Sequence, residues 1–230
     1  MLLVTLPCGI AQAQTGRREA RETIRRGNEK YARAEYEPAI EEYRRVAPDA
    51  GDDYALSLYN TGVCYYELWR TQDAIAIYRK AVEAKRGVYP KASYALGIAL
   101  KDSGRLREAK EAFGQAIETS GGRYALAHYM LGLLVAGEGD NERAALFFRE
   151  AIARSGDQFP ASRNNLGVTL ARMGRLNEAE REFALALRQS NGEFDDAARN
   201  LKLCRSLLSA TAKAQTSSLK MVETAQGVSR

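Results

Sequence analysis

Apolar and polar positions along this chain follow two periods at once. Locally, apolar and small residues recur every three to four positions. "ALAHYMLGLLVAG" (125–137) followed by "NERAALFFREAIA" (141–153) shows the pattern of two amphipathic helices joined by a short polar turn. Over a longer range the pattern copies itself. Gly27, Gly62, Gly97, Gly132 and Gly167 stand 35 residues apart. The series Ala39, Ala74, Ala109, Ala144, Ala179 and the series Tyr43, Tyr78, Phe113, Phe148, Phe183 keep the same step. A period in the range of roughly 20–50 residues marks a stack of repeated supersecondary units.

The spacing inside a unit gives the packing. Glycine within a helix costs about 1 kcal/mol relative to alanine. That loss is offset where the missing side chain lets a second helix pack close. The alanine twelve residues after each glycine and the aromatic sixteen after it then belong to this second helix, the aromatic filling the space beside the glycine. The pattern predicts helix pairs with members of about 14 residues, turns near Gly104, Gly139 and Gly174, and no strands. Trp69, the only tryptophan, falls in the register of those turn glycines and is expected to be partly exposed.

These units resemble the tetratricopeptide repeat. "ALAHYMLGLLVAGEGDNERAALFFREAIA" supplies Leu131, Gly132, Val135, Ala144, Phe148 and Ala151 at the family's positions. "PASRNNLGVTLARMGRLNEAEREFALAL" supplies Leu166, Gly167, Leu170, Ala179, Phe183 and Ala186. The resemblance covers residues 20–194 as five repeats, 20–54, 55–89, 90–124, 125–159 and 160–194. It implies an all-α fold, a right-handed superhelical α-solenoid of antiparallel helix pairs. The chain departs from the family in its step, 35 residues against the usual ~34, and in lacking Asp-Pro between repeats. Its junctions instead carry an aromatic: Tyr54, Tyr89, Tyr124, Phe159 and Phe194. An apolar residue just ahead of a helix packs back on its first turns, so these are expected to staple repeats together. Residues 195–210 read as a capping helix, which a repeat array needs to cover its last apolar face. Residues 211–230 carry few large apolar groups and are expected to be mobile.

The first residues stand apart. "MLLVTLPCGIAQA" (1–13) is an apolar run ending in Ala-x-Ala and resembles the end of a secretory signal, followed by a short linker, 14–19. Pro7 directly before Cys8 does not suit a lipoprotein signal. The expected location is therefore the periplasm, the alternative being the cytoplasm, and no segment is long enough to span a membrane.

Charge and chemistry narrow the function. The 230 residues carry a net charge of +5, with a basic cluster at Arg17, Arg18, Arg21, Arg25 and Arg26. Interleaved glutamates make this a solvated, ion-paired helix face rather than a nucleic-acid surface. Cys64 and Cys204 lie 140 residues apart and read as packing residues, not a bridge. The single histidine, His128, falls where the family places a packing residue. No cluster has metal-ligand spacing, no loop has the phosphate-binding pattern, and no nucleophile is paired with a base. The chain is not expected to be an enzyme or to hold a cofactor.

In the family, the first helices of the repeats line a concave binding face. The matching residues here form a candidate protein-binding groove: Tyr31, Tyr59, Val63, Tyr66, Tyr94, Ile98, Lys101, Tyr129, Leu133, Asn164 and Arg199. Tyrosine offers a large contact area with a hydrogen-bonding tip, but the same tyrosines can equally pack against the adjacent helix. Some family members grip a C-terminal carboxylate with a five-residue clamp. Asn28, Asn60 and Lys91 occupy clamp positions, while Ile24 and Ala95 replace its other two cations. The resemblance implies a protein-interaction scaffold taking a peptide or protein segment, in a cell-envelope assembly. The alternative is a cytoplasmic peptide-binding co-chaperone or adaptor.

Overall fold

Each glycine of the 35-residue row lies against the ring of the aromatic sixteen residues later. In the computed structural model of the chain, a Cβ placed on Gly62 would fall 2.6 Å from the ring of Tyr78. On Gly97 it would fall 2.5 Å from Phe113, and on Gly132 and Gly167 2.6 Å from Phe148 and Phe183. Gly27 meets Tyr43 in the same way. No side chain fits in these gaps, so glycine sets the distance between the two helices of every pair. The alanine row is equally buried: Ala39, Ala74, Ala109, Ala144 and Ala179 all have no exposed surface.

The structure describes residues 8–210 and 221, with side chains from Thr15 onward. Among these residues there are eleven α-helices and no strand. The chain divides into two units, residues 1–119 and 120–230. The first holds α1 (Cys8–Ala32), α2 (Tyr36–Tyr43), α3 (Asp52–Glu67), α4 (Thr71–Ala84), α5 (Pro90–Asp102) and α6 (Leu106–Thr119). Its helices pair as α1 with α2, α3 with α4 and α5 with α6. The pairs stack through α2 on α3 and α4 on α5, so that α1, α3 and α5 lie side by side. The second holds α7 (Ala125–Gly137), α8 (Asn141–Arg154), α9 (Pro160–Arg172), α10 (Leu176–Gln189) and α11 (Asp195–Ser209), arranged likewise with α7, α9 and α11 side by side.

The turns are built alike. The residue closing each first helix is left-handed: Ala34 (φ 58°), Trp69 (59°), Gly104 (78°), Gly139 (86°) and Gly174 (78°). The next amide reaches back to the carbonyl five residues earlier, as in Arg105 to Leu100 and Arg175 to Leu170, both at 2.9 Å. This satisfies carbonyls that a helix end otherwise leaves open. Trp69 is 92% exposed. At the junctions the left-handed residues come in pairs, Arg86–Gly87, Gly121–Gly122, Gly156–Asp157 and Asn191–Gly192. The aromatics that follow face inward. Phe159 and Phe194 are buried, and Tyr89 packs with Ala81, Val82, Ala92 and Tyr59.

The first pair differs from expectation. α1 runs unbroken for 25 residues, so residues 14–19, expected as a linker, are helical, as is the backbone of Ala11–Ala13. α2 has only eight residues. Pro48 removes an amide donor and drives Ala47 out of the helical region (ψ 150°), and the chain passes through a short 3-10 turn, Pro48–Ala50, before α3. α3 accordingly starts three residues ahead of the repeat boundary at Ala55. The expectations for residues 1–7 and, Met221 apart, for 211–230 lie outside the described residues.

Candidate functional site

In the first unit the inner row of helices carries a half-buried strip. Tyr59 on α3 lies between the rings of Tyr78 and Tyr89, at centroid distances of 5.9 and 5.8 Å, with the Lys91 ammonium 4.8 Å over its face. Tyr94 on α5 leans on Phe113 at 5.7 Å. Tyr31, Tyr59, Val63, Tyr66, Tyr94, Ile98 and Lys101 all keep part of their surface exposed. The hydroxyl of Tyr66 donates to the Asp102 carboxylate, and that of Tyr31 to Glu67 Oε1 at 3.4 Å. Each bond links residues 36 apart, so these two tyrosines tie neighbouring first helices together. Burial, and then the acceptor Asp102, push the Tyr66 hydroxyl well above the ordinary tyrosine range; burial and Glu67 raise Tyr31. Both are neutral donors at physiological pH.

The clamp positions are occupied in other ways. Asn28 Oδ1 accepts from the Tyr43 hydroxyl at 2.7 Å and from Asn60 Nδ2 at 3.1 Å. Ile24 is buried and Lys91 sits over Tyr59. The arginine-rich stretch of α1 is paired too: Arg25 with Glu22 and Glu29, Arg26 with Glu42, and Arg21 with Asp53.

In the second unit the same register is closed. Tyr129 on α7 is fully buried between Phe148 (6.0 Å) and Phe159 (4.9 Å), and its hydroxyl accepts from Asn165 Nδ2 at 3.2 Å. Asn164 is also fully buried; it donates to Asn165 Oδ1 at 3.1 Å and accepts from Asn200 Nδ2 at 2.9 Å. Tyr129 and Asn164 therefore present no surface, unlike the groove residues the sequence led us to expect. The junction ring of Phe159 seats on Tyr129 almost 1 Å closer than Tyr89 does on Tyr59, and the asparagine network ties α7, α9 and α11 together. Leu133 is half-buried, and Arg199 is exposed and paired with Asp196. Sequence reasoning missed Asn165 and Asn200 as inner-face residues; the signal was there, since Asn60, Asn165 and Asn200 share one register of the 35-residue period.

The remaining candidates for chemistry are packing groups. His128 is buried against Phe147, with Nε2 3.0 Å from the Gly122 carbonyl. Cys64 and Cys204 are buried free thiols, and burial pushes Cys64 up to about 12. Among the described residues no group of three or more His, Cys, Asp or Glu could hold a metal ion, and no helix is long and apolar enough to cross a membrane.

Sequence profiles of the tetratricopeptide repeat match residues 24–88, 94–160 and 161–188. The chain belongs to the tetratricopeptide repeat family. Among curated proteins no relative matches it. Solved tetratricopeptide structures do. TTC0263, a thermophilic protein of Thermus thermophilus, is 25% identical with a TM-score of 0.56, over 80% of this chain and 100% of that one. YrrB, described as a TPR protein with an unusual peptide-binding site, is 24% identical with a TM-score of 0.61, over 74% and 84%. MamA from Desulfovibrio magneticus RS-1 is 19% identical with a TM-score of 0.63, over 76% and 97%. Tetratricopeptide-repeat proteins bind protein or peptide partners, and the fold of this chain is that of a protein-interaction scaffold.

Proposed function

We propose that this tetratricopeptide-repeat protein is a non-enzymatic scaffold that holds an extended segment of a partner protein along the inner face of its first unit. The observation that carries the reading is the half-exposed strip on adjacent helices: Tyr59, Val63 and Tyr66 on α3, and Tyr94, Ile98 and Lys101 on α5. Aromatic rings there are braced from behind by Tyr78, Tyr89 and Phe113, so they offer contact area with little side-chain entropy left to lose. Alternating apolar and hydroxyl groups suit a segment that buries every second side chain while its backbone meets polar tips. The peptide-binding site named for YrrB supports this class of partner. A carboxylate-gripping clamp is disfavoured, because Asn28 and Asn60 already bond each other and Ile24 is buried.

The test is selection from a displayed peptide library on the full chain, followed by Tyr94→Ala and Ile98→Asp. Each is expected to weaken a selected peptide by tenfold or more, as truncation of an aromatic hot spot costs about 2 kcal/mol. Leu146→Asp, at an exposed position of α8, serves as the control and leaves binding unchanged. Binding that survives both strip variants overturns the reading. We further propose export to the cell envelope, supported by the apolar run and Ala11-Gln12-Ala13. N-terminal sequencing of the protein from an envelope fraction should start at Gln14; a chain starting at Met1 in the cytoplasmic fraction refutes it.

A further inference from the structure

The joint between α10 and α11 holds the reactants of a chemical step in its own backbone. The joints at 86–87, 121–122, 156–157 and 191–192 each place two successive residues in the left-handed region. Only the last sets an asparagine directly before a glycine: Asn191 (φ 53°) and Gly192 (φ 87°). Every other asparagine of the chain precedes Glu, Thr, Asn or Leu. The main-chain nitrogen after an asparagine can attack that residue's side-chain carbonyl, and glycine, having no Cβ, leaves the approach open. A Cβ on Gly192 would meet nothing within 4 Å, and both residues are exposed, so water and base reach them.

One bond holds the nucleophile back. Gly192 N donates to the Leu187 carbonyl at 2.9 Å, the same reach-back bond that Gly87 makes to Val82 and Asp157 to Ile152. It closes the end of α10. An amide in that bond keeps its proton and points into the helix end. Attack requires it to lose the proton and turn toward Asn191 Cγ, so the joint must first open.

We propose that Asn191–Gly192 is a site of spontaneous deamidation, gated by opening of this joint and acting on the capping helix. In the open joint Gly192 N gives its proton to solvent base and bonds to Asn191 Cγ. The Cγ–Nδ2 bond breaks and ammonia leaves, closing a cyclic succinimide. Water then opens the ring. Cleavage between Cγ and the Gly192 nitrogen gives aspartate. Cleavage between the main-chain carbonyl carbon and that nitrogen gives isoaspartate, whose chain runs through Cβ and Cγ. Water enters, ammonia leaves, and nothing is oxidised or reduced.

The two products differ in consequence. Aspartate tolerates the left-handed region as asparagine does, so the joint keeps its path. Isoaspartate adds one main-chain atom between the last turn of α10 and Phe194. Phe194 is buried with Ala186 and Ala197, against Leu187, and stands at the start of α11. Beyond it, α11 is held by Asn200 on Asn164 (2.9 Å), Cys204 on the Leu176 carbonyl (3.3 Å) and Arg205 on Glu180 (2.7 Å). The added atom breaks the reach-back bond and draws Phe194 out of register, so α11 loosens and α9 and α10 lose their cover. The chain thus carries a clock for losing its cap. The clock runs without any partner, so it stands or fails separately from the function proposed above.

Timed incubation of the full chain at mildly alkaline pH, read by peptide mass mapping, tests this against a synthetic peptide of residues 187–196. Deamidation is expected at Asn191 alone, and about tenfold or more slowly than in the peptide. Deamidation and hydrogen exchange of the Gly192 amide need the same opening, so the slowing should match the protection of that amide within about threefold. Conversion at the peptide rate overturns the gate. Asn191 still intact after the time that the measured protection sets for half conversion overturns the site. Aged wild-type protein is also expected to show a faster-exchanging population across residues 195–209, in proportion to its isoaspartate. Asn191→Gly keeps the left-handed joint but has no carboxamide, so its aged sample should show neither. Exchange of α11 that is unchanged in a sample carrying isoaspartate, or equally fast in aged Asn191→Gly, refutes the loss of the cap.

Discussion

Gly132 and Phe148 compete for one volume: a Cβ on the glycine would stand 2.6 Å from Cε1 of the ring. A clash with a buried, fully packed ring has no cheap relief, since Phe148 has no exposed surface through which to move. Gly132→Ala is expected to cost about 1–3 kcal/mol, and Gly132→Leu more, because overpacking forces backbone shifts. Denaturant melts check the ranking. Phe148→Leu should rescue part of the Gly132→Ala loss, giving a non-additive double-mutant cycle.

Trp69 should behave in the opposite way. It holds φ 59° at the position where three other repeats have glycine, and its side chain is 92% exposed. A bulky residue in the left-handed region is strained, and here no burial compensates. Trp69→Gly is expected to raise stability by about 1 kcal/mol. The wild-type fluorescence should be red-shifted and quenched by acrylamide nearly as well as free indole. Blue-shifted, shielded emission would show the ring is covered in solution.

The three tyrosines of one register should separate into two kinds. Tyr129→Ala removes a fully buried ring and the acceptor of Asn165, and should cost about 3–5 kcal/mol of stability. Tyr59→Ala and Tyr94→Ala truncate half-exposed rings and should cost less, while weakening a selected peptide. Melting each variant beside its binding isotherm separates the two effects.

What the sequence made legible and what it did not follows from the same register. Helix pairs, turns and the glycine–aromatic contacts depend on residues that recur every 35 positions, so five copies announce them together. Exposure of Tyr59 and burial of Tyr129 cannot be read that way. Both stand at the same repeat position, and their difference lies in what touches them: the junction ring of Phe159 stands 4.9 Å from Tyr129 where Tyr89 stands 5.8 Å from Tyr59, and the Tyr129 hydroxyl accepts from Asn165 Nδ2. The short α2 escaped notice for a simpler reason. Pro48 occurs in only one repeat, so periodicity averaged it away.

Alkaline pH should destabilise the protein through its buried tyrosines. Burial pushes the hydroxyls of Tyr43, Tyr66 and Tyr78 far above the ordinary range and Tyr89 up to about 12. Unfolded tyrosine ionises near pH ~10. Above that pH the unfolded chain has lost protons that the folded one keeps, so stability falls as pH rises, at up to about 1.4 kcal/mol per pH unit for each such group. The denaturation midpoint should be level from pH ~7 to ~9 and drop steeply beyond ~10. Tyr89→Phe should make that drop shallower.

The paired left-handed residues at 86–87, 121–122, 156–157 and 191–192 give the chain the same backbone hinge at each of these joints, always one full repeat apart. A gene segment copied or lost between two such joints would deliver or remove one complete helix pair, with its glycine, its ring and its junction aromatic all in phase. Such a molecule can change length in whole steps, without a new interface having to arise at the seam.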